Sequence, residues 1–276
     1  MFETLVGQNL VKKKLQFYKE SYDTSKRMPF LFFVGAKGLG KTEFAKQLAK
    51  EIKNTDGSRR PFLEINCSTL KGLTNAFLTI FNTEQDHIKD FNLNDQVFTF
   101  DFTKQSFFFA TTESDKVFAP LKDRLITVDF EPYTKKELSE IIKLNCKDID
   151  FSDDALYELS KITRGNARDA VKHSRQHVIP YCKKNRIQYF DTKDFFKLKN
   201  EVGINDLGLT NAEKQILQIL QSVGSCTLGM LSAKTGLSRT ALQRDHEMYL
   251  IRKSLMDIDG KRKITEEGCR ILEKIV

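Results

Sequence analysis

Eight consecutive residues, Gly35-Ala36-Lys37-Gly38-Leu39-Gly40-Lys41-Thr42, set glycines, a lysine and a hydroxyl at the spacing Gly-x-x-x-x-Gly-Lys-Thr. Residues of these types can hold a polyphosphate. Glycines let backbone N–H groups converge on an anion, the Lys41 ammonium can reach β and γ oxygens, and the Thr42 hydroxyl can ligate magnesium. The chemistry is the binding of a nucleoside triphosphate, ATP or GTP. The bland alternative is a glycine-rich turn that binds nothing.

The flanks argue against the bland alternative. A phosphate loop needs a buried strand before it and a helix after it. "PFLFFV" precedes it, and Phe44, Ala45, Leu48, Ala49 and Ile52 form one apolar stripe behind it. The N-terminus of that helix adds its partial positive charge to phosphate binding.

Short apolar runs then alternate with helical stretches from Phe2 to about Phe130. "PFLFFV", "PFLEIN", "QVFTFDF" and "SFFFATT" predict strands; helices are expected near Gln8 to Ser21, Thr42 to Lys53 and Leu70 to Phe81. This order implies an α/β core with a mostly parallel sheet covered on both faces. From Tyr133 to about Leu198 the apolar spacing is helical, with Thr134 and Ser152 placed as helix caps. After Asn200 three helices, with Gly236 at a bend and Ser238 as an N-cap, are followed by a hairpin around Asp259-Gly260. That order predicts a winged helix. The predicted domains are 1–132, 133–199 and 200–276.

The chain has 276 residues, a net charge of +8 and a sequence pI near 9.1, which favours a polyanionic partner. No apolar run is long enough to cross a bilayer, and a cytoplasmic protein with no membrane partner is expected. Five scattered cysteines, without Cys-x-x-Cys pairs, read as reduced thiols.

The order of local motifs resembles the RuvB family of AAA+ Holliday junction branch-migration motors. The motifs are "LVGQNLVKKKL", the phosphate loop, "FFFATTESDKVFAPLKDRL", "ITRGNARDAVKHSRQ" and "MYLIRKSLMDIDGKRKIT". The resemblance spans nearly the whole chain. It implies an AAA+ core, a helical lid and a winged helix, with ATP and Mg2+ as cofactors. Gly7 and Gln8 would line the adenine pocket. Thr112, or its neighbour Thr111, would be the first sensor of the γ-phosphate, and Arg168 the second. Arg124 would enter a neighbouring subunit's ATP site as an arginine finger; the alternative for Arg124 is an ion pair with Asp123 or Asp129. The implied partners are duplex or four-way junction DNA, further copies in a hexameric ring and a RuvA-like protein. Arg239, Arg244, Lys261, Arg262 and Lys263 would meet DNA phosphates.

The sequence departs from the family pattern in one respect. No apolar run ends in Asp-Glu to hold magnesium and activate water. Asn82, Glu84 or Asp86 stand in a drifted version of that segment, Asp101 offers another carboxylate, and the third reading is that the acidic strand is absent. The same shortening puts the RuvA-like partner in question. The leading expectation is a DNA-translocating ATPase. Its rivals are a hydrolysis-deficient, ATP-switched DNA-binding protein and a replication initiator or clamp-loader-like subunit.

Overall fold

The computed structural model describes residues 1–25, 27–54, 56–65, 88–93, 96–102, 105–205 and 207–275. The predicted helix Leu70 to Phe81 lies outside the described residues, as do Asn82, Glu84 and Asp86.

Strand β1 (Leu31–Val34) is buried on both faces, as a central strand of a parallel sheet must be. On one face Phe32 packs with Leu121 and Leu125. On the other, Phe33 meets Phe108 and Phe130, and Phe130 in turn meets Phe44, at ring separations of 6.1, 5.8 and 5.3 Å. The helix α1 (Asn9–Ser25) precedes β1, and α2 (Lys41–Glu51) follows the phosphate loop. Phe44, Ala45 and Leu48 are its buried stripe, as the periodicity predicts.

Strands β2 (Ile88–Leu93) and β3 (Gln96–Asp101) pair antiparallel as a separate hairpin. Strand β4 (Phe108–Thr111) lies parallel to β1 on one side. A short helix α3 (Ala119–Lys122) then leads to β5 (Ile126–Asp129), parallel to β1 on the other side. Among the described residues the sheet order is therefore β4-β1-β5. The register aligns Val34, Thr111 and Asp129 at one edge, the edge from which the loop at Gly35 departs. Ligands of parallel α/β sheets bind outside these carboxyl ends.

One predicted strand does not form over its described residues. Residues 61–65 of "PFLEIN" carry no strand, and Phe62, Leu63 and Ile65 are 48%, 78% and 55% exposed. An apolar run becomes a strand only where a neighbour completes its backbone ladder. Here Glu64 is instead tied to Lys46 of α2 at 2.7 Å. Strand β5, in contrast, was not among the predicted runs, because "ITVD" is short and follows a charged turn.

The helical region begins with α4 (Lys135–Asn145), whose Thr134 and Glu137 form a reciprocal capping box. After β6 (Asp150–Phe151) comes α5 (Asp153–Ile162), capped by Ser152 as predicted. Helix α6 (Ala167–His173) runs through a π-helical stretch, Ser174–Val178, into α7 (Ile179–Asn185). The contacts divide the chain into two units, Met1–Tyr189 and Phe190–Val276, within the short strand β7 (Tyr189–Phe190).

The second unit starts with α8 (Thr192–Val202). It continues with α9 (Asn211–Val223), β8 (Ser225–Cys226) and α10 (Leu228–Thr235). A third helical run, α11 (Arg239–Ala241), π-helical Leu242–Glu247 and α12 (Met248–Arg252), is capped by Ser238. Strands β9 (Met256–Asp259) and β10 (Lys261–Ile264) form the predicted hairpin, with Gly260 at φ 64° in the turn. The helix α13 (Glu266–Ile275) follows. Strand β8 joins the hairpin in an antiparallel sheet of order β8-β10-β9. This is the element order of a winged helix, built around Ile216, Leu217, Leu220, Leu231, Leu242 and Leu250. Among the described residues no helix is long and apolar enough to cross a membrane.

Candidate nucleotide site

The loop after β1 has the backbone that its glycines permit. Gly35, Gly38 and Gly40 adopt φ of 150°, 85° and 92°. At Gly35 a Cβ would stand 2.8 Å from the carbonyl oxygen of Phe130, and at Gly38 it would stand 2.7 Å from Asn166 Oδ1. These positions exclude side chains both by conformation and by space. Gly40 then opens α2, whose first residues are Lys41 and Thr42.

Lys41 is buried and its Nζ donates to the carbonyl oxygens of Gly35 at 2.6 Å and Ala36 at 2.7 Å. Burial, and then the charge of Arg168, bring its pKa down from the ordinary lysine value to about 8. A desolvated ammonium beside a second cation is poised to gain from a polyanion, whose negative charge favours the protonated amine. Ala36, Lys37 and Thr42 are exposed on the loop and the first turn of α2, and Leu39 is buried beneath it.

The helical region reaches the loop through the N-terminus of α6. Arg168 N–H donates to Gly38 O at 3.3 Å, and its Cβ lies 3.2 Å from where a Gly38 Cβ would be. Asn166 caps α6 through Asp169 N–H. The predicted residues Gly38, Lys41 and Arg168 are thus brought together by a segment more than a hundred positions away in sequence.

The N-terminal segment also closes on the site. Gln8 holds the backbone of Glu131 from both sides, Nε2 donating to its carbonyl at 2.6 Å and Oε1 accepting its N–H at 3.2 Å. Gly7, at φ 65°, leaves room for Glu137 and Tyr133. Gly7 and Gln8 therefore sit against the strand β5 exit and the first turn of α4.

Tyr133 is the site residue that the motifs did not single out. Its hydroxyl donates to Leu39 O at 3.1 Å and lies beside Gly40, its N–H donates to Gly165 O at 3.0 Å, and its ring lies beside Gly7. Burial pushes its pKa up to about 12, against the opposing hydrogen bond with Gln8. Its position just before the Thr134 cap is the sequence signal that could have found it.

Thr111 ends β4 opposite Val34, and its Oγ1 accepts from Glu113 N–H at 3.0 Å. Thr112 is the exposed residue that follows. Arg124 is exposed and donates to Pro120 O at 2.6 Å; among the described residues it makes no ion pair with Asp123 or Asp129. Asp101 lies on β3 of the antiparallel hairpin, paired with Ile88, outside the sheet that carries the loop. Among the described residues no three metal-ligating side chains cluster.

The cations expected on the winged helix separate into two kinds. Lys261 and Lys263 are exposed, with Asp259 and Asp257 as their cross-strand partners. Arg262, expected at the exposed tip, is 9% exposed and forms a bidentate pair with Glu247, Nε to Oε1 at 2.8 Å and Nη2 to Oε2 at 3.1 Å. Alternation along β10 turns it inward between two outward lysines. Arg239 is exposed near Gly229, and Arg244 is exposed on the π-helical stretch.

No family model matches the chain. It is similar to the Holliday junction branch migration complex subunit RuvB of Thermotoga maritima, 25% identical over 302 residues and covering 96% of this chain and 88% of the relative. The subunit of the same name from Pseudothermotoga lettingae is 28% identical over 289 residues, covering 92% of this chain and 82% of the relative. The solved Thermotoga maritima RuvB Holliday junction branch migration motor superposes with a TM-score of 0.75 at 23% identity, over 97% of this chain and 95% of that one. A substitution mutant of that protein gives a TM-score of 0.77 over 98% and 95%. The α/β core, helical region and final module therefore share one fold with RuvB from end to end.

Proposed function

We propose that this chain, a divergent relative of RuvB, is an AAA+ ATPase subunit that assembles into a ring and drives branch migration of Holliday junction DNA. The observation that carries the reading is the convergence of Gly38, Lys41 and Arg168, a phosphate loop closed by a lid cation, within a chain similar to RuvB over 96% of its length. In this reading residues 1–132 form the nucleotide core, 133–199 the lid and 200–276 the DNA-binding winged helix.

The residues present fit a nucleoside triphosphate. The loop is a cradle that side chains at Gly35 and Gly38 would fill, and Lys41 waits in it desolvated. Lys41 and the α2 N-terminus bind the β and γ phosphates, Arg168 registers the γ end from the lid, and Gly7 and Gln8 border the adenine. Thr42 would hold Mg2+, which supplies charge neutralisation when bound. Arg124, exposed and without an ion pair among the described residues, is available to a neighbouring subunit. Thr112, beside the loop edge, orients the attacked phosphate. Lys261, Lys263, Arg239 and Arg244 contact DNA phosphates. A hexameric ring and a RuvA-like partner belong to the same proposal.

A second reading, an ATP-switched DNA-binding protein without turnover, is favoured by one sequence observation: no apolar run ends in Asp-Glu. DNA-stimulated ATP turnover of the wild type and Lys41→Ala separates the two. Turnover lost in the variant supports the motor. Nucleotide-dependent oligomerisation without turnover in either selects the switch.

A further inference from the structure

A cleft of about 620 Å3 opens in the helical region, formed by residues that take no part in the phosphate-loop site. Its lining brings together Lys147 from the turn after α4, Arg175 from the π-helical stretch, and Lys183 and Arg186 from the end of α7. Ile149, Ile179 and Ile187 contribute an apolar floor, and Asp148 is the one acidic side chain in the lining.

The four cations are exposed, and among the described residues none of their side chains makes a hydrogen bond or an ion pair. Other lysines of the same unit do find carboxylates: Lys19 with Asp23 at 2.5 Å, Lys46 with Glu64 at 2.7 Å, Lys116 with Glu113 at 2.8 Å and Lys161 with Glu158 at 2.6 Å. Like charges converging on one concavity repel, and low-dielectric walls strengthen the field they produce. Arg186 also holds φ 55° at the end of α7, a position that glycine usually takes. The winged-helix hairpin is the opposite case, since each exposed lysine there faces an aspartate and Arg262 is buried.

We infer that this cleft binds the phosphate backbone of a nucleic-acid strand, with Lys147, Arg175, Lys183 and Arg186 on successive phosphates. Four cations spread over three segments exceed what one phosphate group needs, and the apolar floor accommodates the sugar or base face between phosphates. The choice of a strand as ligand rests on the reading of the chain as a DNA-acting protein.

Binding of fluorescein-labelled duplex and single-stranded oligonucleotides to the full chain, measured across a salt series, tests this. The variants are Arg175→Gln/Arg186→Gln, the conservative Arg175→Lys/Arg186→Lys, and Lys261→Gln/Lys263→Gln. The first is expected to weaken binding about tenfold and to lower the salt slope by about two, with the lysine pair restoring both. Unchanged affinity and slope in the first variant, with loss in the hairpin variant, overturns the inference and leaves the DNA reading standing. No oligonucleotide binding by the wild type overturns both. In the Lys41→Ala background, binding of ATP that Arg175→Gln/Arg186→Gln abolishes, without any change for oligonucleotides, overturns the strand in favour of a free nucleotide. Thermal melting of each variant separates lost binding from lost folding.

Discussion

The Tyr133 hydroxyl donates to the carbonyl oxygen of Leu39 at 3.1 Å, joining the residue before the α4 cap to the middle of the phosphate loop. The same residue's N–H donates to Gly165 O, two positions before the Ala167 start of α6. Phosphate loop, helical region and N-terminal segment therefore meet at one residue. Removing only the oxygen, in Tyr133→Phe, leaves Leu39 O without its buried donor and should cost about 1–3 kcal/mol of stability. Urea unfolding checks the cost, and nucleotide titration should show a weaker complex. The raised pKa adds a pH signature. Between pH 10 and about 12 the folded tyrosine keeps the proton that the unfolded one loses, so its contribution to stability falls as pH rises through that window.

Lys41 gives the opposite pH signature. Its folded pKa of about 8 lies below the ordinary 10.5, so the folded state binds fewer protons in that window and stability rises with pH through it. Phosphate binding needs the charged ammonium. Nucleotide affinity is therefore expected to fall as pH rises above about 8, with proton uptake on binding; calorimetry in buffers of different ionisation enthalpy measures it. Lys41→Ala should abolish both the affinity and its pH dependence.

Gly38 cannot take a side chain without displacing Asn166 at the start of α6. A Cβ there would lie 2.7 Å from Asn166 Oδ1 at a φ of 85°. Gly38→Ala is expected to cost about 1–3 kcal/mol and to loosen α6 from the loop. Hydrogen exchange at the Arg168 amide, which donates to Gly38 O, should accelerate in the variant.

Arg262 and Glu247 form a buried pair, so their variants report on folding before they report on DNA. Glu247→Ala leaves an unpaired guanidinium inside the module and should destabilise it by about 3–5 kcal/mol, whereas Glu247→Met/Arg262→Leu should recover most of that loss. Chemical denaturation of the two variants makes the comparison.

Much of this protein was legible in its local sequence. The loop from Gly35 to Thr42, the caps at Thr134, Ser152 and Ser238, and the Asp259-Gly260 hairpin depend on neighbours within a few positions, and each stands where its local chemistry places it. The stripe of Phe44, Ala45 and Leu48 was legible for the same reason. Relations across the chain were not. Whether "PFLEIN" becomes a strand depends on a partner ladder, whether "ITVD" does depends on β1, and Tyr133 acquires its role from Leu39 and Gly165. Arg262 differs from Lys261 and Lys263 only in which face of β10 it occupies and in what Glu247 offers there. Residue type and spacing determine the bonds a segment can make with itself and so the local structure it adopts. Tertiary structure decides which distant group satisfies a buried donor or charge, because that partner is set by packing and carries no mark in the local sequence.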